Sequence, residues 1–265
     1  MSIKIEPFKN NIGASIACDL KSIKNDEIEK IKEALNNYGF VCFRNQNLDP
    51  GKYLEFAKLL GRIKDYPMLK DLEGHKGITV VERKEKDQGK SYGEGWHTDS
   101  SYLNKTPRYT CLMGKIVEKN QGQTLFASQF ASYKALDQKT KGKIKNLIGV
   151  FSSAGPISET RLERESERGT GKAKNFVSEH PIVRTVNNKK ALYLSPGHTI
   201  AIKDLGEQDS KNLLKFLFNH QTKKEFRMSF FWEKNSIAVW DNYSILHSAT
   251  PFVGRRMMHR IILDA

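Results

Sequence analysis

Residues 226–240 run Phe226-Arg227-Met228-Ser229-Phe230-Phe231-Trp232-Glu233-Lys234-Asn235-Ser236-Ile237-Ala238-Val239-Trp240. They read as two strands, each rich in aromatic or β-branched residues, broken at Glu233-Lys234-Asn235 by a turn. Working outward, residues 257–263 give a further strand on the C-terminal side, and residues 78–82, 109–117 and 123–127 give three more upstream. Residues 182–186 and 191–194 flank Asn187-Asn188, a hairpin signal. Helical spacing is confined to a few places. Residues 25–39 carry Ile28, Ile31 and Leu35, open at a cap offered by Asn25-Asp26, and close at Gly39. Residues 49–61 start at Asp49-Pro50 and stop at Gly61. Residues 130–147 have broken helical character, and a compact helix lies around 210–220. Many short strands interrupted by a few helices predict an α+β chain with a jelly-roll barrel, not a doubly wound parallel sheet. Residues 158–175 lack apolar periodicity and read as a loop or insertion.

A length of 265 residues suits one barrel domain over 1–265. With 38% hydrophobic and 28% charged residues, and no run approaching a membrane span of about 20 apolar residues, the chain reads as soluble. The N-terminal segment lacks the features of a signal peptide, so cytoplasm is the expected compartment. Cys18, Cys42 and Cys111 are far apart and odd in number, which argues for reduced core thiols. A net charge of +14 admits nucleic acid, an anionic membrane or small anions as partners. The lysines are spread along the chain without a dense tract or recognition motif, so neither nucleic acid nor membrane is expected, and a small-molecule substrate is.

The chemistry resides in Trp96-His97-Thr98-Asp99. On an extended segment, residues two apart project to the same side, so His97 and Asp99 can address one ion. Alone, such a pair is more often a surface hydrogen-bonded pair. A distant histidine, His247, stands in comparable company, within Trp240-Asp241-Asn242 and Leu246-His247-Ser248. Two imidazoles and a carboxylate form the facial triad of non-haem Fe(II) oxygenases, with three positions left for co-substrate and oxygen. Zinc would more often close a tetrahedron or keep one open position. Arg256 and Arg260 follow on one strand face, and either guanidinium could anchor the distal carboxylate of 2-oxoglutarate. Arg255, turned the other way, reads as a surface residue.

These blocks, together with Gly122-Gln123-Thr124-Leu125-Phe126-Ala127-Ser128, His180-Pro181-Ile182-Val183-Arg184-Thr185 and Arg255-Arg256-Met257-Met258-His259-Arg260, resemble the taurine / 2,4-dichlorophenoxyacetate dioxygenase family over most of the chain. The resemblance implies a double-stranded β-helix core with Fe(II) at His97, Asp99 and His247. It also implies 2-oxoglutarate at Thr124 and Arg256, and Arg260 beside the pocket, on the substrate's acidic group. The implied reaction consumes O2 and 2-oxoglutarate, releases succinate and CO2, and hydroxylates a small anionic substrate: a carboxylate, sulfonate, sulfate ester or phosphonate. Halogenating relatives lack the carboxylate that Asp99 supplies, so hydroxylation is the expected outcome. Tyr66 and Gly93 fall at substrate-pocket positions where taurine-type members carry His and Asn, which argues against taurine itself. Related enzymes place a lid where residues 155–178 lie here, and commonly form dimers or tetramers, which leaves a homo-oligomer an open expectation. Trp96, Trp240 and His180 read as packing residues, and His75, His198 and His220 have no supporting context. The competing readings are a barrel without turnover and a nucleic-acid-associated protein.

Overall fold

The computed structural model describes residues 3–66, 69–118, 120–158 and 175–264. Its centre is a pair of facing sheets. The larger contains β1 (Lys4–Pro7), β2 (Ala14–Ala17), β3 (Phe40–Phe43), β4 (Arg62–Lys64), β5 (Asp71–Leu72), β6 (His75–Arg83), β7 (Tyr109–Ile116), β15 (Ile237–Asp241) and β17 (Arg256–Asp264). Its order is β1-β2-β3-β15-β7-β17-β6-β5, with β4 alongside β17. The smaller sheet contains β8 (Thr124–Ser128), β14 (Arg227–Phe230) and β16 (Ile245–Ala249), in the order β14-β8-β16. This is the expected jelly roll.

Alternation along the central strands explains the layers. On β3 and β15, Phe40, Cys42, Ala238 and Trp240 face the smaller sheet and pack with Phe126, Phe230, Trp232 and Ile245. Val41, Phe43, Ile237 and Val239 face the other way, against α1 (Asn25–Tyr38) and α2 (Pro50–Leu60), which contribute Ile31, Leu35, Tyr53 and Phe56. Covered on both faces, these strands are continuously apolar rather than alternating with polar residues. The helix caps are local. Asp49 accepts from the Lys52 amide at 2.9 Å, as its place before Pro50 suggests. In α1 the N-cap is Lys24 rather than Asn25, and Glu27 reaches back to accept the Lys24 amide at 3.0 Å.

Outside the barrel, β9 (Ile148–Ser152) pairs with β10 (Val177–Pro181) and β13 (Thr199–Ile202). β11 (Val183–Val186) and β12 (Lys189–Leu192) form the expected hairpin, with Asn187 and Asn188 at φ 48° and 63°, the left-handed pair that a two-residue type I′ turn requires. Three helices, α3 (Gln129–Lys134), α4 (Gln138–Ile144) and α5 (Glu207–Gln221), cluster beside them. Among the described residues no helix is long and apolar enough to cross a membrane. The expected lid at 155–178 falls mainly on residues 159–174, outside the described ones.

Candidate active site

Backbone pairing brings the two arms of the site together. His97 and His247 form an antiparallel bridge in which each amide donates to the other's carbonyl at 2.9 Å. His247 sits on β16, while His97 and Asp99 lie on the extended connection between β6 and β7. The strand or extended turn expected around His97 takes the form of this single bridge with a turn at Asp99, and His97 and Asp99 face one side. The donor atoms of His97, Asp99 and His247 lie within 4.8 Å of one another, and all three residues are buried. Asp99 Oδ1 is 3.9 Å from His97 Nε2, and Oδ2 is 3.8 Å from His247 Nε2. These separations are too long for hydrogen bonds and leave the three donors converging on a common point.

The protonation states suit a cation. His97 Nδ1 lies 2.8 Å from the Gly95 carbonyl, which can only accept, so the proton is on Nδ1 and the Nε2 lone pair is free. Burial lowers the His97 pKa, and burial together with the neighbouring His97 drives that of His247 to about 3. Both imidazoles are therefore neutral at neutral pH. Burial alone would raise the Asp99 pKa, but the opposing positive neighbours and the Thr110 hydroxyl hold it at about 2. With the histidines uncharged, Arg260, whose Nη1 is 3.5 Å from Oδ1, and Thr110 are what keep this carboxylate ionised. Two neutral nitrogens and one ionised oxygen fit Fe(II) in type and charge.

The donors open into a cavity that Thr124, Arg256 and Arg260 also line. On β17, Arg256, Met258 and Arg260 share the inward face, as the period of two requires. Arg256 donates to the Gly122 carbonyl and lies over the Phe252 ring at 4.9 Å. Gly122 has φ +59°, and a Cβ there would come within 2.1 Å of Arg256 Nη1, so this approach depends on glycine. Burial brings the Arg256 pKa down to about 10, still protonated at neutral pH. Thr124 Oγ1 accepts from Trp232 Nε1 at 2.9 Å, which leaves its hydroxyl hydrogen available to an acceptor in the cavity.

A second, smaller cavity adjoins the first across His97, Asp99, Tyr92 and Gly93. Gly93, with φ +84°, adds no side chain at the junction. Tyr66 lies beneath Arg260, whose guanidinium is 4.0 Å from the ring centroid, and its hydroxyl pairs with those of Tyr92 (2.9 Å) and Tyr102 (3.4 Å). Burial raises the pKa of Tyr66 and Tyr92, so both phenols are neutral. Ile157 and Ser158, at the described start of the expected lid, complete the wall.

All eight residues expected at the site therefore line one or the other cavity. Arg255 is exposed and pairs with Glu82 at 3.3 Å, as a surface residue should. Sequence reasoning missed Tyr92, Tyr102, Thr110 and Trp232, and gave His198 no role, although it lines the second cavity and packs edge-on to His97 at 6.0 Å. Met258 could have been found, since it lies between the two arginines on their face of the strand.

Over nearly its whole length the chain is also similar to known proteins. The chain is 28% identical over 278 residues to the alpha-ketoglutarate-dependent sulfate ester dioxygenase of Pseudomonas putida, covering 99% of this chain and 90% of that one. It is 27% identical to an alkylsulfatase of Acinetobacter baylyi, covering 98% and 84%. The crystal structure of a taurine dioxygenase from Burkholderia xenovorans superposes with a TM-score of 0.84 at 26% identity, covering 99% of this chain and 89% of that one. The model of the taurine catabolism dioxygenase TauD, TfdA family matches residues 4–262, and the chain belongs to that family.

Proposed function

We propose that the chain is an Fe(II)- and 2-oxoglutarate-dependent dioxygenase that hydroxylates a small anionic organic molecule. The observation that carries this reading is the convergence of His97, Asp99 and His247 at a cavity where the partly buried Arg256 has a backbone carbonyl as its hydrogen-bond partner and no carboxylate among the described residues. In this reading the triad holds Fe(II). Arg256 and the Thr124 hydroxyl receive the distal carboxylate of 2-oxoglutarate. When bound, iron, 2-oxoglutarate and O2 supply the oxidising chemistry, with succinate and CO2 as co-products.

The protein's share is placement and exclusion of water. Arg260, Tyr66 and Gly93 would face the primary substrate at the junction of the cavities. Arg260 Nε and Nη2 are buried without a hydrogen-bond partner among the described residues, so two donors remain for an anionic head group. Charge supports the same class of substrate. Summed over the site, Fe(II), Arg256 and Arg260 would carry four positive charges against three negative ones on Asp99 and the two carboxylates of 2-oxoglutarate, which leaves one positive charge for a monoanion to neutralise. A sulfonate, a sulfate monoester or a carboxylate meets that requirement better than a doubly charged phosphonate. The sulfate ester dioxygenase and alkylsulfatase relatives support the choice.

The test is anaerobic titration of the full chain with Fe(II) and 2-oxoglutarate, watching for the weak visible charge-transfer band of the chelate. A band that is absent in His97→Ala is expected, followed by substrate-dependent succinate release with sulfonates or sulfate esters. No band in the wild type would overturn the assignment of the cofactor.

A further inference from the structure

Asp99 is gripped from behind by a chain of hydrogen bonds whose direction is fixed by chemistry. Trp240 Nε1 can only donate, and it donates to Asn242 Oδ1 at 3.0 Å. That sets the orientation of the Asn242 amide, whose Nδ2 donates to Thr110 Oγ1 at 2.9 Å. With that lone pair engaged, the Thr110 hydroxyl hydrogen goes to Asp99 Oδ2 at 2.7 Å. All four residues are at most 5% exposed, so water does not compete for these bonds. The chain grows out of strand register, since Trp240 on β15 is the cross-strand partner of Thr110 on β7. The ring of Trp240 also packs on the His247 imidazole, with centroids 4.7 Å apart.

We propose that Trp240, Asn242 and Thr110 form a positioning relay that presets the Asp99 carboxylate for the metal, with the Thr110 hydroxyl as its decisive link. The proposal rests on reading His97, Asp99 and His247 as the metal centre. An aspartate on an extended connection would otherwise rotate about its last side-chain bond and lose that freedom on binding an ion. Here Oδ2 is tied to the sheet through Thr110 and Oδ1 faces Arg260, so the rotation is already arrested. One tryptophan thereby supports two of the three ligands, His247 by packing and Asp99 through the relay. Sequence reasoning gave Trp240 only a general packing role.

The experiment is anaerobic titration of the metal-free full chain with Co(II), read from its visible d–d bands, for the wild type, Thr110→Val and Thr110→Ser. Urea midpoints of the metal-free proteins report folding. Thr110→Val is expected to weaken Co(II) binding by about 10- to 100-fold, the usual cost of losing a partner behind a ligand, and to alter the band shape. Thr110→Ser restores the hydroxyl and should restore both readouts. Wild-type affinity and spectrum in the valine variant, or a serine variant as weak as the valine one, would overturn the relay while leaving the metal centre standing. If Thr110→Val does not fold, Trp240→Phe keeps a ring against His247 and removes only the first donor. It should still bind Co(II) measurably more weakly than wild type, and undiminished affinity would overturn the relay. Failure of the wild type to bind Co(II) would overturn the metal centre itself, and the relay with it.

Discussion

Arg256 and Arg260 occupy one face of one strand and line the same cavity, Arg260 buried and Arg256 partly buried, yet their surroundings differ. Arg256 meets a backbone carbonyl and aromatic faces, and burial lowers its pKa to about 10. Burial works against the charge of Arg260 as well, but Asp99 and the hydroxyls of Tyr92 and Tyr66 outweigh it and raise its pKa. The charge of Arg260 is thus answered within the protein, and that of Arg256 must be answered by a ligand. Under the proposed function, this contrast favours Arg256 as the co-substrate anchor. Under the same proposal, Arg260, beside Asp99, is left to face the primary substrate.

Three substitutions test that contrast. Asp99→Ala should have the largest effect, because it removes a metal ligand and leaves Arg260 buried without its counter-charge. Metal binding in a Co(II) titration should be abolished, and the urea midpoint of the metal-free protein should fall. Unchanged Co(II) affinity would mean that Asp99 is not a ligand. Next, Arg256→Gln should raise the 2-oxoglutarate concentration needed for half-maximal chelate absorbance by roughly 10- to 100-fold, the range for losing about 1.5–3 kcal/mol of charged hydrogen bonding. The KM of the primary substrate should move little. Arg260→Gln should show the converse, a KM for the anionic substrate raised by on the order of 10-fold with 2-oxoglutarate binding nearly unchanged. If both variants shift the same parameter, the two arginines serve one ligand and the contrast fails.

The parts of the site that were legible in the sequence are those governed by short-range geometry. His97 and Asp99 are two apart, and Arg256 and Arg260 four apart, so local periodicity alone puts each pair on one side. His247 was legible as a third ligand from its neighbours, but its backbone pairing with His97 is non-local and neither segment announces it. Even β16, which carries His247, escaped notice, because Ser244 and Ser248 dilute its apolar run. β10 was missed for a similar reason, since Ser178, Glu179, His180 and Pro181 are poor strand formers held in place by pairing with β9. Thr110 and Asn242 look like ordinary polar residues in the sequence. What they do depends on a cross-strand register that only the folded sheets define. The barrel itself was readable because its inner strands are apolar throughout and its turns carry Asn, Gly and Asp where positive φ or a cap is needed.

The smallest expected effect concerns the other face of the same strand. Between Met258 and Arg260, His259 points away from the cavity and is only 6% exposed. Burial, with Lys115 and His75 nearby, lowers its pKa from 6.5 to about 4. Between those two values the unfolded chain binds a proton here that the folded protein refuses, so stability present above about pH 6.5 is lost as pH falls toward 4. At about 1.4 kcal/mol per pH unit, this residue should contribute at most about 3 kcal/mol to that loss. His259→Gln should therefore flatten the pH dependence of the urea midpoint in the metal-free protein between pH 7 and 4.5, while its Co(II) affinity at pH 7.5 stays as in wild type. Two arginines of one strand would then be separable by ligand, and the histidine between them by pH alone. A His259→Gln variant that lost metal or 2-oxoglutarate binding would instead show that the two faces of β17 are coupled, and the alternation used to assign Arg256 and Arg260 would no longer isolate their roles.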